Sequence, residues 1–118
     1  MSVYLVLSTA GSLKEGEKIA RHLIQEGLAA CVNVVPGLYS HFFWEGKLRR
    51  EKEVLLLIKT VKGELNRIVK EIRDLHSYAV PEILFFKAQG GENQYLSWVG
   101  KRAGKKNKKN IDNKTSRS

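Results

Sequence analysis

The stretch from Leu28 to Thr60 limits what this chain can fold into more than any other segment. Leu28 to Val35 is rich in β-formers and closes at Pro36-Gly37. Leu38 to Trp44 continues as strand, Glu45-Gly46 makes a tight turn, and Lys47 to Thr60 returns as the second strand. Arg49 to Glu53 is charged at every position, so the half of the hairpin near the turn is expected to be solvated or matched by another chain. Val54 to Ile58 reads as its buried half. The strands available to flank it, Val3–Leu7 and Ile83–Phe86, are far shorter. Leu38, Phe42, Phe43 and Trp44 would then stand in water beside unpaired strand edges. Pairing with further copies of the chain in a closed ring is the economical remedy.

The remaining segments supply two helices and short strands. Val3 to Leu7 is an apolar run of the kind found in buried central strands, followed by a loop at Ser8-Thr9-Ala10-Gly11. Ser12-Leu13-Lys14-Glu15 has the capping-box arrangement. Ile19, Ala20, Leu23 and Ile24 recur at helical spacing up to Gly27, a left-handed cap position. Leu65, Ile68, Val69, Ile72 and Leu75 mark a second amphipathic helix of about four turns. Pro81 keeps 76–81 a loop, and Glu92 to Val99 reads as a short closing helix. The order is βαββαβ plus a C-terminal helix, an α+β, ferredoxin-like split βαβ. Right-handed crossovers place both longer helices on one face of a four-stranded antiparallel sheet.

Charge separates the chain into two parts. Val99 to Ser118 holds eight Lys or Arg against the single acid Asp112, and so carries +7 of the formal net charge of +9. Residues 1–98 are left at +2. The expected organisation is a folded domain over residues 1–100 and a basic, flexible tail over 101–118, suited to salt-dependent contact with polyanions. One cysteine, Cys31, excludes an internal disulfide framework. The N-terminus lacks the pattern of a secretion signal, and no apolar run approaches the roughly 18 residues of a membrane span, which makes the cytoplasm the expected address.

Four stretches, in order and at matching intervals, resemble the CutA family of divalent-ion tolerance proteins. They are Gly27-Leu28-Ala29-Ala30-Cys31-Val32-Asn33-Val34-Val35-Pro36, Trp44-Glu45-Gly46-Lys47 with Lys59-Thr60, His76-Ser77-Tyr78-Ala79-Val80-Pro81-Glu82-Ile83, and Tyr95-Leu96-Ser97-Trp98. The resemblance implies a ferredoxin-like, PII-like homotrimer, a role in tolerance of divalent cations with copper foremost, and no defined catalysis. The chain departs from the family pattern at Ser77, where proline is usual, and at Arg49-Arg50-Glu51-Lys52-Glu53, where the family hairpin is usually more acidic.

Two constellations are candidate sites. Cys31 is the one soft ligand, a thiol in a β-run, and His76 could join it from the loop to hold copper(II) or another divalent cation between subunits. His22 and His41 are lesser imidazole candidates, and no C-x-x-C or H-x-x-x-H spacing is present. Packing as a small buried hydrophobe is the competing reading of Cys31. Lys59, Tyr78, Glu82, Tyr95 and Trp98, with Trp44 arriving from a neighbour, have the mixture of aromatic and polar groups found in a small-ligand cleft. The same residues can be read as a Lys59–Glu82 ion pair with aromatic packing around it.

Overall fold

Alternation along the first strand sets the architecture. In the computed structural model, which describes residues 2–105, β1 spans Val3–Ala10, and Val6, Ser8 and Ala10 on one side are fully buried. β1 is a central strand, paired antiparallel with β3 (Lys47–Val61) on one side and β4 (Ile83–Lys87) on the other. β2 (Cys31–Trp44) pairs with the far edge of β3, so the sheet order is β2-β3-β1-β4. Helices α1 (Leu13–Gln25) and α2 (Leu65–Leu75) pack on the face that carries Val6, Leu56 and Ile58, and bury Ile19, Leu23, Ile68 and Ile72 against it. This is the expected antiparallel ferredoxin-like arrangement.

Local chemistry explains the boundaries. Ser12 caps α1 by accepting the Glu15 N–H at 3.1 Å. The Glu15 carboxylate does not close a capping box on Ser12. It reaches back one residue further, to the Gly11 N–H, and across to the loop after α2. Gly27, at φ 72°, turns the chain out of α1 while Leu28 N–H donates to Leu23 O. Pro36-Gly37 interrupts β2 without ending it, as the strand pattern resuming at Leu38 implies. The strand continues through a register shift between Val35 and Leu38, with Gly37 at φ 83°. Proline is tolerated there because β2 is an edge strand and the bulge asks for no ladder N–H. Glu45 and Gly46, both at positive φ, form the two-residue turn that matches the twist of the hairpin.

A third helix, α3 (Asn93–Arg102), extends past the expected end at Val99. It packs Val99 and Ala103 against Val3 and Ala30, with Val61 alongside. By alternation Val3 and Val61 belong to the sheet face opposite α1 and α2, so α3 covers only one end of that face. Leu7, Leu55 and Leu57 remain half-buried there, and Leu84 and Phe86 are 49% exposed. At the hairpin end Phe43 is 69% and Leu48 77% exposed. Residues 106–118, most of the basic tail, lie outside the described residues.

Candidate functional site

The register of the sheet divides the expected cleft. Lys59 lies opposite Cys31 on β2 and Leu5 on β1. Tyr78 and Glu82 sit on the loop after α2, where His76 meets Thr9 O and Ser8 Oγ donates to Glu82 O at 2.7 Å. Leu5 and Thr9 are four residues apart on one strand, about 13 Å. Among the described residues the expected cleft residues therefore fall into two separate hollows. The first, about 490 Å³, collects Lys59, Tyr95 and Trp98 with Cys31 and Asn33. The second, about 680 Å³, collects Trp44, Tyr78 and Glu82 with His41 and Glu53. The six expected cleft residues do not meet within one chain, and Lys59 and Glu82 form no ion pair among the described residues.

The second hollow is organised by a residue that the pattern of charges concealed. Glu53, expected in a solvated stretch, is 6% exposed. Its carboxylate accepts the Ser40 hydroxyl at 2.5 Å and the Tyr78 hydroxyl at 2.8 Å. Burial, then the hydrogen bond to Glu53, then the charges of Glu53, Glu51 and Glu15 push the Tyr78 phenol up to about 12. Tyr78 is thus a fixed donor at neutral pH. It ties the loop after α2 to the base of the hairpin.

His76 is held from both sides of its ring. Tyr78 N–H donates to Nδ1 at 3.0 Å, which leaves Nε2 to carry the proton and donate to Thr9 O at 2.7 Å. The loop is fixed further by Glu15, whose carboxylate accepts Ser77 N–H at 2.7 Å and Ser77 Oγ–H at 3.2 Å. Burial opposes ionisation of Glu15, but the bonds from Ser77 and Gly11 and the proximity of His76 outweigh it and hold the carboxyl below its usual range. His22 is engaged elsewhere, bridging α1 to Glu71 of α2 at 2.6 Å. Cys31 is half-buried at the start of β2, with Lys59 Nζ 3.9 Å from its sulfur. Among the described residues no three His, Cys, Asp or Glu side chains cluster to hold a metal within one chain.

Comparison with known proteins places this geometry. A family model described as CutA1 divalent ion tolerance protein matches residues 4–102. The chain belongs to the CutA1 divalent ion tolerance family. Divalent-cation tolerance protein CutA of Thermus thermophilus is 39% identical over 100 residues, covering 85% of this chain and 97% of that protein. Its solved structure superimposes with a TM-score of 0.85 at 38% identity, covering 86% of this chain and 99% of that one. The chloroplastic CutA of Arabidopsis thaliana is 40% identical over 95 residues, 80% of this chain and 52% of the relative. This chain thus spans about half the length of the plant relatives it matches.

Within the CutA1 frame the departure at Ser77 acquires a structural meaning. The proline that the family resemblance leads one to expect there would have no N–H to give, so the Glu15–Ser77 bond depends on the serine. Among the described residues no helix is long and apolar enough to cross a membrane.

Proposed function

We propose that this chain is a non-enzymatic divalent-cation tolerance protein that works as a homotrimer and binds copper(II) or a similar cation between subunits. The observation that carries it is the family match over residues 4–102, whose name is a tolerance and not a reaction. A sheet face with exposed Leu84 and Phe86, and a hairpin with exposed Phe43 and Leu48, support assembly. A cation site would have to be completed between copies. Cys31 supplies the soft donor, and His76 can ligate only by giving up the Tyr78 N–H or Thr9 contact. Calorimetric titration of the full chain with Cu(II) tests this. Binding should weaken about tenfold or more in Cys31→Ala and in His76→Ala, and unchanged affinity in both variants would overturn the metal part. The proposal keeps the cytoplasm as the compartment; recovery of the full chain in another fraction would overturn that element.

A second reading, a small-ligand sensor of PII-like kind, is favoured by one observation. Lys59 is half-buried and faces a hollow walled by Tyr95 and Trp98, with no carboxylate at ion-pair distance among the described residues. Contact of the basic tail with polyanions belongs to the same set of proposals, carried by the sequence alone.

A further inference from the structure

The hollow beside Lys59 has a chemistry more specific than room for a small molecule. By alternation Lys59 lies on the sheet face that α1 and α2 leave open, with Cys31 and Leu5 as its cross-strand neighbours. Its ammonium donates to Asn33 Oδ1 and lies 3.9 Å from Cys31 Sγ. Because Asn33 spends its carbonyl oxygen on Lys59, its amide N–H groups are left as donors for another acceptor. An ammonium that forms no ion pair among the described residues, beside an amide donor, favours an anion. Glu92, also at the rim, keeps its charge while Oε1 accepts the Tyr95 N–H at 2.8 Å to cap α3, so an anion has to sit on the Lys59 and Asn33 side of the hollow.

The opposite wall is aromatic. The rings of Tyr95 and Trp98 lie 5.8 Å apart, tilted by 35°. A third hollow, of about 370 Å³, shares Gln94 and Trp98 with the first and adds Lys101. Trp98 therefore stands between two spaces, each of which has a lysine in its lining. A cation stacking on the indole would be opposed by both ammonium groups, whereas a flat anion would gain from each of them.

We propose that this hollow binds a planar aromatic ring bearing an anionic group, the anion on Lys59 and Asn33 and the ring against Trp98. This rests on the small-ligand reading given above and names its ligand class. It places a demand on Lys59 opposite to that of the metal reading, since an ammonium 3.9 Å from the sulfur opposes a cation at Cys31 and assists an anion.

The probe is 2-naphthoate, titrated into the full-length assembled protein by calorimetry, with 2-naphthalenemethanol and cyclohexanecarboxylate as the uncharged and the non-planar controls. The expected result is binding about tenfold tighter for 2-naphthoate than for either control, lost about tenfold in Lys59→Gln and in Trp98→Leu and retained in Lys59→Arg. Cu(II) affinity of Lys59→Gln should be unchanged or higher. If Lys59→Gln does not fold, raising salt from roughly 50 to roughly 500 mM tests the same charge on the unmodified protein, and affinity should fall severalfold. Naphthoate binding that ignores both Lys59 and salt would overturn the inference. If the uncharged ring binds as well as the anion, the ligand class falls while the small-ligand reading stands. If none of the three probes binds, the inference falls, and a wider metabolite screen then decides the small-ligand reading on its own.

Discussion

Gly16 sits inside α1, where glycine is a poor helix former, yet the packing leaves no room for anything larger. A Cβ at this position would come 2.7 Å from Val54 Cγ2, with Leu56 and Val34 side chains at 3.5 Å. Val54 is 4% exposed and β-branched, so it cannot swing aside. Replacing Gly16 with alanine gains up to about 1 kcal/mol of helix propensity and costs about 1–3 kcal/mol of overpacking. Gly16→Ala should thus lower stability by about 1 kcal/mol, read from the midpoint of urea unfolding; a stabilised variant would show that α1 can lift from the sheet. The same scale marks the limit of reading residues from a string of letters. Gly16 looks like a blemish in a helical pattern, and Glu53 looks like one more charge in a solvated run. Both are decided by partners far along the chain: Val54 approaches Gly16, and Tyr78 approaches Glu53 from 25 positions away.

At the level of elements, pattern and turn signals locate the four strands and three longer helices, and the differences fall at their boundaries: β1 runs on through Ser8 and Thr9 to Ala10, where the sequence reads as a loop, because the ladder with β3 continues to Val54. Pro36-Gly37 reads as a break between two stretches of strand and proves to be a bulge within one, because the hydrogen bonds of an edge strand do not need the missing N–H. Glu15 reads as half of a capping box but serves as a clasp between the start of α1 and the loop after α2. Ser77 lacks the ring that would stiffen a proline at this position, and the bonds to Glu15 supply a restraint of another kind. That restraint depends on ionisation. The Glu15 carboxyl is held below its ordinary value of 4.5, so its contribution is fully present above about pH 4.5 and is lost as pH falls through the lower, folded-state value. Urea unfolding of the native chain and of Glu15→Gln should differ most near pH 6 and converge toward pH 3. A difference that is the same at every pH would mean that the carboxylate charge has no part in the clasp.

For the whole molecule, the candidate residues were legible as types and illegible as a site. Lys59, Tyr95 and Trp98 form one group and Trp44, Tyr78 and Glu82 another, because the antiparallel ladder sends the two groups to different ends of β1. Among the described residues of one chain the two groups stay apart, and the trimer proposed above would join them if copies met on the uncovered sheet face. Leu7, Leu55 and Leu57 lie there half-buried, and Leu84 and Phe86 extend the same apolar surface to the β4 edge. If that surface is the contact between subunits, sedimentation at micromolar concentration should give three times the 13.4 kDa of one chain. The melting temperature should rise with protein concentration, since association stabilises only the folded chain. Leu84→Glu combined with Phe86→Glu places two charges on that face and should shift the sedimenting species to a single chain that keeps its secondary structure, because neither side chain belongs to the core beneath α1 and α2. A native chain that sediments at 13.4 kDa would remove the interface, and with it any site assembled from two subunits. A double variant that unfolds outright would instead show that the face is needed for folding, and the concentration dependence of the native melting temperature would then carry the test by itself.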